Sequence, residues 1–154
     1  MMIAELYNYL RYDDHLASSG MPKPDQIAAI AKSGAKIVIN LATMKSENAL
    51  TNEKELVEAQ GMQYIWVPVE WENPTRKNLD DFMNAMDARK DEKVFVHCQA
   101  NYRATAFIAL YRVLRLDWET DRAFEDVRKI WKPSEYPVWE KFIKENIESV
   151  TPST

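Results

Sequence analysis

Apolar positions along this chain follow two periods that alternate. "KIVINL", Lys36 to Leu41, is a β-branched run, and its continuous apolar character suits a buried parallel strand. "MQYIWVPV", Met62 to Val69, reads as the next strand, and Val94 to His97 as another. Between these two, Leu79, Phe82, Met83 and Met86 recur at helical spacing and predict an amphipathic helix whose methionines fill core space. Upstream, residues 7–20, "YNYLRYDDHLASSG", mix aromatic and apolar positions around a turn at Asp13-Asp14 and predict two short strands. Pro24 opens a helix with Ile27, Ile30 and Ala31 on one face and Gly34 as its left-handed stop. A further helix is expected from about Asn52 to Gln60, ended by Gly61.

Beyond residue 102 the pattern is helical throughout. Arg103 to Leu114 forms one helix, and Ala123, Phe124, Val127, Ile130 and Trp131 give the apolar face of a second. Pro133 and Pro137 punctuate, and Val138, Phe142 and Ile143 begin the last helix. Strands alternating with helices, then closing helices, predict an α/β fold: a central, mainly parallel sheet covered by helices on both faces. No repeat, low-complexity linker or composition break divides the 154 residues, so one domain spanning 1–154 is expected.

Composition narrows the chemistry. Hydrophobic residues make up 46% and charged residues 29%, and the net charge of -4 supplies no global field for nucleic acid or an anionic membrane. An anion site must therefore be local. One cysteine forms no intramolecular disulfide, and with two distant histidines, His15 and His97, it offers no metal cluster, so neither metal nor cofactor is expected. No segment reaches the ~18 apolar residues of a membrane span, and Met1 to Leu10 lacks the regions of a signal peptide, which together point to a cytoplasmic address.

The one cysteine sits where such a local site is built. In "VFVHCQANYRATAFIAL", Val94 to Leu110, an apolar strand ends at His97-Cys98, a polar turn follows, and a helix opens near Arg103. The first amides of a helix lack internal partners, and the helix dipole adds partial positive charge there. A thiol among such amides, with a guanidinium nearby, is favoured as thiolate. Arg103 brings a rigid fork that can clamp two oxygens of an oxyanion. Asn101 is the residue best able to take the left-handed conformation an inward-curling loop needs. Ala104 and Ala106 keep the helix start narrow, and the Thr105 hydroxyl is expected to donate to the thiolate or to a loop carbonyl.

"VHCQANYRAT" resembles the phosphate-binding loop of cysteine-dependent protein tyrosine and dual-specificity phosphatases, whose pattern is His-Cys, five residues, Arg, then Ser or Thr. "YLRYDDHLASSGMPKPDQIAAIAKSGAKIVINL" and "GMQYIWVPVEWENPT" extend the likeness to a bacterial group of phosphatase-like proteins related to the beta-lactamase-hydrolase-like proteins. The resemblance implies a phosphotyrosine-phosphatase-like fold and a metal-independent hydrolase with Cys98 as nucleophile. It also implies phosphate held by Gln99, Ala100, Asn101, Tyr102, Arg103 and Thr105. His97 is assigned to ordering the loop by hydrogen-bonding its backbone. This loop departs from the pattern in having four residues between Cys98 and Arg103 and asparagine in place of the usual glycine.

The family takes its general acid from a loop after an earlier strand; here "VPVEWENPT" offers Glu70 and Glu72 instead of aspartate. Asp80 and Asp81, on the following helix, are expected to serve its N-terminal end. Trp71 and Tyr102 are placed at the pocket rim, His15 at the surface, and Arg112 and Arg115 on a solvated helix face or its C-terminal end. Expected partners are a phosphorylated small molecule or a phosphoprotein, without nucleic acid or membrane. Two other readings stay open: a rhodanese-type sulfurtransferase carrying a persulfide on Cys98, since its loop also has four residues before a basic one, and a non-catalytic oxyanion-binding module.

Overall fold

The computed structural model describes residues 2–149. Five strands form one sheet: β1 (Leu10–Asp13), β2 (Leu16–Ser19), β3 (Ile37–Asn40), β4 (Gln63–Trp66) and β5 (Val94–His97). They lie in the order β1-β2-β5-β3-β4, with β1 antiparallel to β2 and every other neighbour parallel. Six helices accompany them: α1 (Ile27–Lys32), α2 (Glu53–Ala59), α3 (Arg76–Asp87), α4 (Tyr102–Arg115), α5 (Thr120–Arg128) and α6 (Pro137–Glu148).

Alternation along the buried strands divides the core into two layers. Ile37, Ile39, Val94 and Val96 face one side, where Leu79, Phe82, Phe107, Phe124 and Trp139 from α3, α4, α5 and α6 cover them. Val38 and Phe95 face the other, against Ile27 and Ile30 of α1 and Val57 of α2. The two strands with unbroken apolar runs, β3 and β5, are buried at every position, as is β2 between β1 and β5. β5 is central, and its last residue, His97, lies between Ser19 of β2 and Asn40 of β3. Cys98 therefore leaves the sheet at the C-terminal ends of the parallel strands, the edge where open α/β sheets place their ligand sites.

Several expectations change in detail. Pro24 opens a 3-10 turn, Pro24–Gln26, that runs into α1. α5 ends at Arg128, so Ile130 and Trp131 lie in the turn beyond it, though Trp131 is still buried. On α6 the inward residue of the first turn is Trp139, fully buried, while Val138 is 46% exposed. Asp80 and Asp81 fall beyond the first turn of α3 and instead pair with Arg76 and Lys77 one turn earlier, each at 2.9 Å. Arg112 and Arg115 both lie in the last turn of α4, the second of the two places expected, and Arg112 is buried there: it bonds Asp126 of α5 at 2.9 Å and lies 4.2 Å from the centre of the Trp118 ring. Arg115 pairs with Asp87 of α3. Among the described residues no helix is long and apolar enough to cross a membrane, and no group of three or more His, Cys, Asp or Glu side chains is placed to hold a metal ion.

Candidate active site

The turn from β5 into α4 is short, and its shape is set by where its carbonyls go. Asn101, at φ 70° and ψ 10°, is in the left-handed conformation that the sequence anticipated. His97 Nδ1 lies 3.4 Å from the Cys98 carbonyl, and Met21 N–H donates to the Gln99 carbonyl at 2.8 Å. Asn8 Nδ2 donates to the Ala100 carbonyl at 3.0 Å. The Thr105 hydroxyl reaches the carbonyls of Asn101 at 2.8 Å and Tyr102 at 3.0 Å. Every carbonyl from residue 98 to residue 102 is thus held on the outer side of the turn.

In a trans peptide the N–H points opposite to the C=O, and none of these bonds is cis. The amides of residues 99–103 are consequently turned toward the inner side. None of the five donates to a protein acceptor among the described residues. Unpaired N–H groups at a helix start are of the kind that can cradle an anion.

A cavity of about 520 Å³ opens on that inner side. Cys98 and Arg103 lie at its floor, the sulfur with no exposed surface and the guanidinium nearly buried. Arg103 is fixed by two bonds, Nη1 to the Val69 carbonyl at 2.8 Å and Nη2 to Ser46 Oγ at 3.2 Å. Thr43, Lys45 and Ser46, from the β3–α2 connection, form one wall. Glu70, Trp71 and Glu72, from the β4–α3 connection, form another. Tyr102 and Tyr136 complete the rim, and burial together with the Tyr136 hydroxyl pushes the Tyr102 phenol above its usual range.

The acidic wall is anchored through Trp71. Its ring stacks on Trp139 at 5.3 Å and meets Tyr136 edge-on at 5.3 Å, while Trp139 Nε1 donates to the Trp71 carbonyl at 2.8 Å. Tyr102 in turn stacks flat on Trp131, at 4.8 Å and 2°. Such ring pairs each add roughly 0.5–1.5 kcal/mol beyond burial. The carboxylates on either side of Trp71 differ: Glu70 lies 3.6 Å from Lys45 Nζ, whereas Glu72 makes no hydrogen bond or ion pair among the described residues.

The structure brings Cys98, Gln99, Ala100, Tyr102, Arg103, Glu70 and Glu72 to one cavity. Asn101 and Thr105 stand apart from its lining. Asn101 is fully buried with Nδ2 on the Asn8 carbonyl at 2.7 Å, and Thr105 spends its hydroxyl on the turn's outer carbonyls while accepting from Trp131 Nε1 at 2.9 Å. Of the two acceptors expected for Thr105, it takes the loop carbonyl. His97 is wholly buried behind the turn and reaches the Cys98 carbonyl. His15 lies in the β1–β2 turn, where its amide bonds Asp13, and is not part of the cavity.

Sequence reasoning missed the supports. Asn8 clamps the turn from 92 positions away, in the left-handed region at φ 51°. Gly20 lets the end of β2 touch the turn: a Cβ there would sit 2.6 Å from the Gln99 carbonyl oxygen. Glu53, almost fully buried, bonds His97 Nε2 at 2.5 Å. Lys45 and Ser46 had a readable signal, a polar connection leaving the C-terminal end of a buried parallel strand.

A protein family described as DSP-PTPase phosphatase fused to NAD+ kinase matches residues 16–135. A beta-lactamase hydrolase-like protein of Xylella fastidiosa is 32% identical over 105 residues, covering 66% of this chain and 24% of that protein. The chain thus spans about a quarter of the length of the curated relatives it matches. Among solved structures, a candidate phosphatase of the DUF442 group from Shewanella putrefaciens CN-32 superposes with a TM-score of 0.86 at 31% identity, over 97% of both chains. TpbA of P. aeruginosa, solved in complex with pTyr, shares the fold at a TM-score of 0.71 and 13% identity, over 96% of this chain and 92% of its own.

Proposed function

We propose a function from one premise: the chain belongs to the family of DSP-PTPase phosphatases fused to NAD+ kinase. It acts as a cysteine-dependent phosphatase on phosphate monoesters, through a phosphocysteine intermediate and without a metal. The observation that carries this reading is the run of five amides, 99–103, with no protein acceptor among the described residues, beside a cavity lined by Cys98 and Arg103.

The phosphoryl group enters with its equatorial oxygens on the amides and on the Arg103 fork, which strengthen their hold as charge shifts onto those oxygens. The Cys98 thiolate attacks phosphorus in line, forming the S–P bond as the ester P–O bond breaks. Glu72 protonates the departing oxygen. The same carboxylate then takes a proton from a water that attacks phosphorus, releasing inorganic phosphate and restoring the thiolate. Glu70, held near Lys45, sets the charge of the wall. The rim of Trp71, Tyr102 and Tyr136 suits a flat leaving group such as the aryl ring of phosphotyrosine, the ligand with which TpbA was solved.

The deciding experiment compares wild type with Cys98→Ser on an aryl phosphate, with and without vanadate. Turnover is expected to vanish in the variant and to be blocked by vanadate in wild type. Equal hydrolysis by both proteins removes the nucleophile. The four-residue spacing from Cys98 to Arg103 favours a second reading, sulfur transfer: the thiolate takes the outer sulfur of thiosulfate, sulfite leaves, and cyanide then removes that sulfur as thiocyanate. It requires a gain of one sulfur atom on Cys98 after thiosulfate treatment, and an unchanged mass excludes it.

A further inference from the structure

Glu53 is buried at the start of α2, lies outside the cavity, and takes no part in the steps above. Its surroundings call for a carboxylate. Oε2 meets His97 Nε2 at 2.5 Å, and Oε1 accepts from Asn40 Nδ2 at 3.3 Å. The Asn40 amide cannot turn to relieve that contact, because its Oδ1 accepts from Ala42 N–H at 2.8 Å and its Nδ2 also reaches the Tyr64 hydroxyl at 3.1 Å. Two donors converge on two acceptor oxygens; a glutamine there has one oxygen to offer and leaves one donor facing an NH2.

The far side of the same imidazole faces the cysteine. His97 Nδ1 lies 3.4 Å from the Cys98 carbonyl oxygen, and it donates there while Nε2 donates to Glu53 when the ring carries both protons, as the imidazolium paired with that carboxylate. The other four outer carbonyls are held by a backbone amide, by Asn8 and by Thr105, whereas this one depends on a ring that can rotate unless its second nitrogen is fixed. The Cys98–Gln99 peptide also carries the first amide after the sulfur.

We infer that Glu53 is a positioning residue for the oxyanion site: by fixing the His97 ring it keeps the Cys98 carbonyl turned out and the Gln99 N–H turned in. The inference rests on the oxyanion reading of the cavity but not on turnover.

The test is tungstate binding, by calorimetry, to the full chain carrying Glu53→Gln, His97→Asn, or both. Glu53→Gln is expected to weaken tungstate about tenfold or more, the worth of one hydrogen bond to a charged group. In the His97→Asn background it is expected to have no further effect. With only two histidines in the chain, the ring N–H signals of His97 are assigned by difference, and its slowly exchanging Nε2 proton is expected to be lost in Glu53→Gln. A folded Glu53→Gln protein with wild-type tungstate affinity overturns the inference, as does an equal loss with and without His97. Should Glu53→Gln not fold, wild type alone decides: tungstate must shift the Gln99 amide resonance, and an unmoved Gln99 amide overturns the inference. If wild type hydrolyses no aryl phosphate while the binding cycle behaves as expected, the positioning role stands and the phosphatase reading falls.

Discussion

Replacing Gly20 by alanine tests whether strand packing and loop geometry are one system. The new Cβ would lie 2.6 Å from the Gln99 carbonyl oxygen, 2.6 Å from Tyr7 Cδ2 and 3.3 Å from Ala100 Cα. Ordinary contact begins at 3.4 Å, so something must retreat by about 0.8 Å. Tyr7 is 58% exposed and can swing aside, but the Gln99 oxygen and Ala100 Cα belong to the loop backbone. β2 cannot yield instead, because it is paired on both sides. The loop therefore moves, loosening the Met21 N–H bond to Gln99 and tilting the peptide whose other end is the Ala100 amide. Overpacking of this kind costs roughly 1–3 kcal/mol, visible as a lower urea midpoint with an unchanged slope. A shift near 1 Å in a positioned group lowers reactivity by as much as about 100-fold, so kcat/KM on an aryl phosphate is expected to fall between about 10- and 100-fold. Wild-type stability together with wild-type kcat/KM would refute the claim that the end of β2 shapes the loop.

The two cavity glutamates should separate on graded leaving groups. Glu72→Gln is expected to lower kcat/KM for a poorly leaving alkyl phosphate by about 100-fold or more while sparing an activated aryl ester, and Glu70→Gln to change both only a few-fold; the reverse ranking reassigns the acid. Burial and the Glu53 carboxylate push the Tyr64 phenol up to about 12. Because the unfolded chain releases that proton near 10, this tyrosine's contribution is intact below pH 10 and is lost as pH rises through the folded value. Alkaline absorbance titration of wild type minus Tyr64→Phe should isolate one late tyrosine that reverts to ordinary titration in urea; a difference signal complete by about pH 10.5 in the native proteins would contradict it.

What could be read from the chain was what local pattern encodes. The unbroken runs of β3 and β5, the α3 stripe of Leu79, Phe82, Met83 and Met86, and the left-handed Asn101 are all properties of neighbouring residues, and all stand where the pattern puts them. The same holds for the floor of the cavity, because Cys98 and Arg103 belong to one strand–turn–helix unit. What local pattern leaves out depends mostly on distant partners. Arg112 looks like a solvated cation until Asp126 and Trp118 of the next segment enclose it. Glu53 looks like an ordinary first-turn acid of an exposed helix, and its partner His97 is 44 positions on. Val138 and Trp139 are adjacent, so a one-residue change of helical phase decides which of them is core.

The shortened loop raises the question of whether four residues between Cys98 and Arg103 leave enough amides to cradle an oxyanion. Loop length alone does not decide it, because the carbonyls are pinned by groups outside the Cys98–Tyr102 segment: His97, Met21, Asn8 and Thr105. Each pinned carbonyl turns the next amide inward, so five outward carbonyls yield five inward N–H groups whatever the spacing to the arginine. Arg103 adds to this count. A guanidinium carries five donors, and the Val69 carbonyl and Ser46 hydroxyl engage its two terminal nitrogens once each, so three N–H groups remain. The scaffold bonds thus orient the fork without exhausting it. For the proposed phosphatase reaction, unpaired amides and a guanidinium with N–H groups to spare around one sulfur, in place before any ligand arrives, meet the condition under which such donors favour a transition state over a ground state.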